Sequence, residues 1–248
     1  MCRATTKNTP LPPTRVEVQD HPPMRINPKR AVEDVPVVCV GGSAGGLDAY
    51  TRLLRHLPAD SGFAIVIVNH LRTVTTRLHE ILPRFTTMPV ELISERLEIR
   101  PNHVFIIPAQ RDLHVLNGKF RLKPISKPRG WPDVITVFLR SLTDHWKGKL
   151  VAVIVSGYDG DGAAALRGIK EVGGTTIAQK PETAVQPDMP ESAIDSGCVD
   201  FILSPEEIAL KIAEISHAAT PSERRRPPAM TQKRQSIPDC KVQPGAEL

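Results

Sequence analysis

The chain has 248 residues, enough for one or two domains, and its 32 Lys and Arg outnumber 27 Asp and Glu to give a net charge of +5. The basic excess lies toward the two ends, where no aromatic side chain is interleaved to stack on bases, so we expect no nucleic-acid partner. No apolar run approaches the roughly 18 residues of a membrane span, so we expect no membrane insertion. The four cysteines form no CxxC pair, which favours a reducing, cytoplasmic setting.

The two ends of the chain differ in composition from the middle. Residues 1–34 are rich in proline and poor in clustered apolar side chains, and residues 218–248 are similar but also carry basic runs. Such segments cannot bury enough apolar surface to offset the entropy of ordering, so we expect both to be disordered. The sequence therefore predicts one folded domain over residues 35–217, a size that supports a single core.

Strand and helix signals alternate through this block. In chain order, the patterns predict a strand at 35–41, a helix at 46–57, a strand at 63–70, a helix at 74–86, strands at 90–94 and 104–107, a hairpin at 114–122 turning at Asn117-Gly118, a loop at 124–132, a helix at 133–146, a strand at 150–155, a helix at 163–172, a strand at 175–178, a helix at 190–196, a strand at 199–203 and a helix from 205. This alternation predicts a doubly wound α/β fold with a mostly parallel sheet and one antiparallel hairpin.

A glycine-rich turn follows the first predicted strand. Gly41, Gly42, Gly45 and Gly46 surround a single serine, Ser43, at the point where the strand should give way to a helix. The spacing Gly-x-Ser-x-Gly is that of a nucleophile elbow, in which small residues flank a strained serine. Glycine-rich turns also cradle phosphates or simply reverse the chain, so the motif leaves these alternatives open.

Three polar side chains fall at the carboxyl ends of predicted parallel strands. Ser43 follows the first strand, His70 closes the second, and Asp161 lies just after the strand at 150–155. Ligand sites in open α/β sheets lie at this edge. A serine, a histidine and an aspartate there could act as nucleophile, general base and orienting carboxylate. Taken singly, His70 could instead be structural, and Asp159 and Asp161 could be turn residues or a weak cation site.

Two well-known motifs, the dinucleotide-binding fingerprint and the α/β-hydrolase triad, do not fit this pattern. A dinucleotide fingerprint needs glycine where Ser43 stands, and the second strand ends in Asn69-His70 without an acid for the ribose. The α/β-hydrolase order is Ser, Asp, His, whereas this chain gives Ser, His, Asp. Because the other histidines show no His-x-x-x-His or Cys/His clustering, we expect no zinc site, and no feature of the sequence predicts a cofactor.

The order and spacing of the motifs resemble the catalytic domain of the CheB family, the chemotaxis protein-glutamate methylesterases. The resemblance runs from about Val35 to Ile215. It is carried by five segments: the serine turn at 41–46, Val-Asn-His-Leu at 68–71, Arg-Pro-Asn-His-Val-Phe-Ile-Ile-Pro at 100–108 with His114 following, Ser-Gly-Tyr-Asp-Gly-Asp-Gly at 156–162, and Thr-Ile-Ala-Gln at 176–179 through Met-Pro at 189–190.

The resemblance implies hydrolysis of a glutamate γ-methyl ester on a receptor helix, with methanol released and with deamidation of glutamine at the same site. It implies Ser43 as nucleophile, His70 as base and Asp161 as orienting acid, with oxyanion or substrate contacts at Ala44, Tyr158 and Met189. The implied substrates are methylated chemoreceptor helices or another methylated signalling protein. The implied counterpart is a CheR-type methyltransferase.

The sequence also departs from the family pattern. Tyr158 and Asp159 stand where the family has methionine and glycine, Asp188 and Asn102 each replace a glycine, and the segment from Trp131 to Val134 is altered. We expect no receiver domain before the esterase, because residues 1–34 are too few. These changes near the implied site leave open a second interpretation, a catalytically weak interaction module that keeps the fold. A third, nucleotide binding at the glycine-rich turn, is the least favoured.

Overall fold

The computed structural model describes residues 35–70, 76–127 and 132–217. Within these ranges, nine strands make up two sheets. They are β1 (Val37–Gly42), β2 (Ala64–Asn69), β3 (Val90–Leu92), β4 (His103–Ile106), β5 (Arg111–Leu116), β6 (Lys119–Pro124), β7 (Leu150–Ile154), β8 (Thr175–Gln179) and β9 (Phe201–Leu203). Seven of them form one parallel sheet in the order β3-β4-β2-β1-β7-β8-β9, and β5 pairs with β6 in an antiparallel hairpin. The predicted doubly wound α/β class is therefore confirmed.

Helices cover both faces of the large sheet. They are α1 (Gly46–His56), α2 (Leu78–Ile81), α3 (Val134–His145), α4 (Leu166–Glu171), α5 (Asp188–Asp195) and α6 (Pro205–His217), with short 3-10 turns at Leu82–Arg84, Ala163–Ala165 and Pro181–Thr183. One apolar cluster joins the sheet to α1 and α6, and a second joins its other face to α3, α4, α5 and the hairpin. Because both faces are covered, β1 and β7 are buried along their whole length. Among the described residues, no helix is both long and apolar enough to cross a bilayer.

The hairpin turns where the sequence predicts. Asn117 and Gly118 have φ values of 51° and 74°, the left-handed conformation that a two-residue hairpin turn requires at both positions. The two strands are longer than the predicted 114–122, because β5 begins at Arg111 and β6 reaches Pro124. The loop predicted at 124–132 is therefore shorter at its start, and residues 128–131 lie outside the described residues.

The helix predicted over 74–86 is the main error of the secondary-structure prediction. Only one α-helical turn, α2, and a 3-10 turn with Pro83 near its start are present, and residues 71–75 lie outside the described residues. Proline lacks a backbone N–H and its ring clashes with the preceding turn, which prevents the α-helix from continuing.

The predicted terminal segments lie outside the described residues, so 1–34 and 218–248 remain assigned to disordered ends as a prediction only. The last described helix, α6, is tied to the amino-terminal edge of the sheet. Its Ser216 hydroxyl donates to the backbone carbonyl of Ser61, and the Lys149 ammonium donates to the carbonyl of Ile215 at 3.3 Å. The end of α6 is therefore attached to the segments that precede β2 and β7.

The hairpin is attached to the domain through aromatic side chains. Phe120 of β6 lies 5.1 Å from Phe105 of the large sheet and 6.4 Å from Phe138 of α3, centroid to centroid, and all three side chains are fully buried. Edge-to-face and tilted pairs of this kind add to the energy of apolar burial. The hairpin is thus part of the main core.

We expect Phe138→Ala to lower the free energy of unfolding by about 3–5 kcal/mol, because it leaves a cavity between the hairpin and the sheet. Phe201→Ala makes the same chemical change at the edge strand β9, where the side chain is 36% exposed, and should cost about 1 kcal/mol or less. Equilibrium unfolding in urea measures both. Equal losses in the two variants would contradict this account of the core.

Candidate active site

The site lies at the carboxyl ends of three neighbouring strands. β1 is in the middle of the sheet, with Gly42 paired to Asn69 of β2 on one side and Gly41 paired to Ile154 of β7 on the other. The chain leaves β1 toward β2 and returns later to β7, so the strand order reverses here. Such a switch point opens a crevice at the carboxyl edge of the sheet. The residues that follow these three strands therefore meet there.

Ser43 sits at the turn between β1 and α1. Its backbone N–H donates to the carbonyl of Ser156 after β7, at 2.9 Å, and its own carbonyl accepts from Gly46 at 2.9 Å. Across the crevice, the His70 N–H donates to the carbonyl of Gly42 at 3.1 Å. The serine is half-buried, and within the described part of the chain its hydroxyl takes part in no hydrogen bond. The hydroxyl is therefore available to a ligand.

Ser156 fixes the shape of this turn, a role that the sequence motifs did not predict. Its side chain is fully buried, donates to the carbonyl of Ala44 at 2.7 Å and accepts from the N–H of Gln186 at 2.9 Å. Its own N–H donates to the side-chain oxygen of Gln179 at 3.0 Å. A serine at the end of a buried strand beside a glycine was the available signal. Ser156 thus links the serine turn to the loop before α5.

We expect Ser156→Ala to destabilise the fold by about 1–3 kcal/mol, because the partly buried N–H of Gln186 and carbonyl of Ala44 lose their buried partner. The variant should also lower activity, since the serine turn depends on the same bonds. Thermal unfolding measures the first effect. The exposed Ser94 provides a matched control, and we expect Ser94→Ala to unfold like the wild type. An unchanged melting temperature for Ser156→Ala would contradict this role.

The glycines of the turn are explained by close packing. Gly45 has a φ of +77°, and a Cβ there would lie 2.4 Å from the Ser156 hydroxyl oxygen and 2.5 Å from the Val185 Cβ. A Cβ on Gly42 would lie 2.4 Å from the Tyr50 hydroxyl oxygen, which donates to Asn69 at 2.9 Å. The space beside the turn is filled by the protein itself. These glycines are accounted for without a bound phosphate.

His70 and Asp161 form a buried pair at the end of β2. The His70 Nε2 lies 2.5 Å from the Asp161 Oδ2, and both side chains are less than 5% exposed. Asp161 also accepts backbone N–H bonds from Ile135 at 2.7 Å and Thr136 at 2.9 Å, at the start of α3. The amino end of a helix favours a negative charge. The carboxylate is therefore fixed against the imidazole.

The charge of Asp161 is stabilised despite its burial. Burial by itself would raise the pKa of this carboxyl, but the hydrogen bonds from His70, Thr136 and Ile135 outweigh it and hold the pKa below its ordinary value. The Asp161 carboxylate can thus orient the His70 imidazole and stabilise its charged form, as the carboxylate of a serine–histidine–aspartate triad does.

A second carboxylate contacts the same imidazole. The Asp159 Oδ2 lies 2.9 Å from the His70 Nδ1, a contact that the sequence reading did not predict. Burial lowers the pKa of His70, but the two carboxylates outweigh burial and raise this pKa to about 9. The available signal was the spacing Asp-Gly-Asp after a strand, which places two carboxylates on one short turn.

The remaining predicted site residues differ in how far their side chains are buried. Ala44 is half-buried beside Ser43, and among the hydrogen bonds of the described residues none uses its N–H as donor. Tyr158 is 55% exposed, whereas Met189 is fully buried with its thioether against Gly157. Leu47, in the first turn of α1, is 42% exposed. Tyr158, in the loop after β7, and Leu47 therefore each present exposed apolar surface.

Two of the departures from the family pattern have a local explanation. Asn102 has a φ of 58°, which asparagine tolerates better than most residues, and its side chain accepts from the Gly62 N–H at 2.6 Å. Asp188 is the first residue of α5, where a carboxylate suits the helix dipole. Trp131 lies outside the described residues. Across residues 35–70, 76–127 and 132–217, no three His, Cys, Asp or Glu side chains are grouped so as to hold a metal ion.

Comparison with known proteins points to one family. A family model described as CheB methylesterase matches residues 38–212. A Burkholderia thailandensis protein-glutamate methylesterase/protein-glutamine glutaminase is 33% identical over 177 residues, covering 70% of this chain and 52% of the relative. The crystal structure of the Thermotoga maritima CheB methylesterase catalytic domain aligns with a TM-score of 0.67 at 30% identity, covering 72% of this chain and 97% of that domain.

Coverage differs among the relatives. A Leptospira interrogans protein, provisionally named for the same two activities, is 33% identical over 174 residues, covering 69% of this chain and 90% of the relative. The chain thus spans about half the length of the Burkholderia relative and most of the Leptospira one. The region in common is the catalytic domain, which contains all of the site described above.

Proposed function

The chain belongs to the CheB methylesterase family, and from that membership and the geometry of the site we propose that it is a serine hydrolase. In this proposal it hydrolyses glutamate γ-methyl esters on a signalling protein and deamidates glutamine at the same site. Ser43 is the nucleophile, His70 the general base and Asp161 the carboxylate that orients the imidazole.

One observation carries this proposal. The buried His70–Asp161 pair lies at the carboxyl end of β2, beside a glycine-rich turn that presents a serine hydroxyl with no partner among the described residues. A histidine held by a carboxylate and set next to an available hydroxyl is the arrangement that activates a serine. The alternative of a catalytically weak module gives no reason for burying this charged pair.

Acylation follows from the placement of these groups. The Ser43 oxygen attacks the ester carbonyl carbon, and its proton passes to His70 Nδ1, because Nε2 is already bonded to Asp161. The carbonyl oxygen becomes an oxyanion, and the N–H of Ala44 is the donor closest in sequence to the nucleophile that can stabilise it. Collapse of this intermediate breaks the bond to the methoxy oxygen, which takes the proton from His70 and leaves as methanol.

Deacylation uses the same groups in reverse. A water molecule gives its proton to His70 and attacks the acyl carbon, and the Ser43 oxygen leaves with a proton returned from the imidazolium. The product is a free glutamate side chain. With a glutamine substrate the first leaving group is ammonia in place of methanol, and the second step is unchanged.

We propose that the substrates are methylated helices of chemoreceptors, with a CheR-type methyltransferase as the counterpart that adds the methyl groups. The support is the pair of activities for which the relatives are named, protein-glutamate methylesterase and protein-glutamine glutaminase. The exposed apolar side chains of Tyr158 and Leu47 beside the serine turn suit a helix that carries apolar residues next to the modified glutamate. The proposal includes a cytoplasmic setting, which rests on the scattered cysteines.

The test is release of methanol from a chemoreceptor cytoplasmic fragment that has been methylated by a receptor methyltransferase. The unmethylated fragment is the matched blank, and ammonia release from glutamine at the same positions is measured in parallel. We expect methanol above the blank in proportion to the methyl esters present.

Absence of both methanol and ammonia would overturn the proposal. If the full chain nevertheless bound the fragment, measured by isothermal titration calorimetry, the result would favour the interaction module. Release of ammonia without methanol would also contradict the methylesterase activity, because both reactions use the same acyl-enzyme.

A further inference from the structure

Both ring nitrogens of His70 face carboxylates. Nε2 lies 2.5 Å from Asp161, and Nδ1 lies 2.9 Å from Asp159. Because Nε2 is held by Asp161, Nδ1 is the nitrogen left to accept the serine proton. Asp159 therefore lies against the nitrogen that must accept the serine proton. The family motif has glycine at this position.

The two contacts differ in quality. Nε2 and Asp161 form an aligned hydrogen bond, whereas the Nδ1 of His70 and the Oδ2 of Asp159 are buried atoms that form none among the described residues, although they lie 2.9 Å apart. Asp161 is held by two backbone N–H groups of α3. Within the described ranges, the Asp159 side chain forms one hydrogen bond, in which its Oδ1 accepts from the nearby N–H of Asp161 at 3.0 Å. The Asp159 contact is the one that can be released.

We propose that Asp159 is a positioning residue that holds His70 in its charged form in the free protein, and that its carboxylate must leave Nδ1 before Ser43 can be deprotonated. The inference rests on the proposed function for its consequence, since it concerns the same base. An imidazolium has no lone pair and cannot take a proton, whereas the neutral ring can.

The charges around His70 support this assignment. In the described part of the chain, neither Asp159 nor Asp161 forms an ion pair with Lys or Arg, so the imidazole is the cation that both carboxylates contact. From β1, the buried thiol of Cys39 has a pKa that burial raises, so it stays uncharged. From α1, burial likewise raises the pKa of Tyr50, whose hydroxyl donates to Asn69. From α3, Asp161 receives backbone N–H groups.

The consequence is an alkaline pH profile. The base works in its neutral form, so activity should rise with pH through the pKa of His70, which the two carboxylates raise to about 9. Asp159→Asn removes one of these charges and should move the profile toward lower pH. Each unit of displacement increases the neutral fraction at pH 7 about tenfold. Asparagine keeps an oxygen that can accept from the Asp161 N–H, so the local turn is preserved.

The first test observes the ring directly and needs no substrate. The full chain is labelled with ¹³C at histidine Cε1, the His70 signal is assigned by its loss in His70→Gln, and the signal is titrated from pH 5 to 10. We expect the wild-type ring to titrate near pH 9 and the Asp159→Asn ring at least about one unit lower. Asp60→Asn, an exposed matched control, should titrate as the wild type.

The second test measures reactivity. A fluorophosphonate forms a bond between its phosphorus and the Ser43 oxygen, loses fluoride and transfers the serine proton to His70. We expect Asp159→Asn to react about tenfold faster than the wild type at pH 7, with the difference vanishing above pH 9. Asp159→Glu, which restores a carboxylate, should be slower than Asp159→Asn at pH 7.

Identical titration of His70 in wild type and Asp159→Asn would overturn the inference, whatever the activity. Equal labelling rates at pH 7 would also overturn it, because Asp159 would then not compete with the serine. Failure of the proposed function is distinguishable, since a shifted titration without methanol release would reject the methylesterase activity while supporting the contact. Circular dichroism and thermal unfolding of each variant confirm that the comparison is between folded proteins.

Discussion

Ser43→Ala is expected to lower the rate of methyl-ester hydrolysis by about 10⁴-fold or more and to leave the melting temperature unchanged. The loss follows because, in the proposed mechanism, the acyl-enzyme forms on the Ser43 oxygen. Stability is unaffected because the hydroxyl takes part in no hydrogen bond within the described residues, and alanine keeps the backbone bonds to Ser156 and Gly46. Methanol release and thermal unfolding of the same preparation measure both effects.

The control for this prediction is Ser94→Ala, the same change at an exposed loop position. It should match the wild type in both measurements. Turnover by Ser43→Ala within about tenfold of the wild type would remove the serine from the mechanism. A large fall in melting temperature would instead mean that the hydroxyl has a structural role.

Asp161→Asn should lower turnover by about 10³- to 10⁴-fold, because a neutral amide no longer holds the imidazole in the correct tautomer or stabilises its charge. The variant should also lose stability, since the buried N–H groups of Ile135 and Thr136 and the His70 ring exchange a carboxylate for an amide. Asp60→Asn, on an exposed loop, provides the matched control and should behave as the wild type.

The stability loss of Asp161→Asn should depend on pH in a defined direction. The folded-state pKa of Asp161 lies below the ordinary value of 3.8, so its charge stabilises the fold fully above that value. This contribution disappears as the pH falls through the lowered folded-state pKa. The difference in melting temperature between wild type and variant should therefore be largest near neutrality and shrink in acid. A difference that is constant with pH would show that the carboxylate charge is not involved.

The sequence predicts those parts of the fold that depend on local patterns. The apolar strands that end at Gly42 and Asn69 are found within a residue or two of their predicted bounds, and so is α1. The meeting of Ser43, His70 and Asp161 at one edge was also predictable, because the carboxyl ends of parallel strands lie together. The order of the strands was not predictable in this way, since it depends on packing between distant segments.

The details that decide chemistry lie beyond local patterns. The contact between Asp159 and His70 joins residues 89 positions apart, so their distance depends on how β2 and the loop after β7 are seated. Met189 is buried and Leu47 is exposed, and both lie in the first turn of a helix. At a helix end, the amphipathic pattern predicts less well which side chains face the sheet. The helix predicted at 74–86 is shorter in the structure because Pro83 ends the α-helical turn of α2.

The most direct test of the central claim is the site at which a fluorophosphonate reacts with the wild-type protein at pH 9. Trypsin should release a peptide spanning residues 31–52, in which Ser43 is the only serine, so its adduct is assigned without ambiguity by mass spectrometry. We predict one phosphonyl group per chain, on Ser43, and its loss in His70→Gln. A protein that releases methanol but carries the label elsewhere, or carries none, would contradict the assignment of Ser43 and His70 as nucleophile and base.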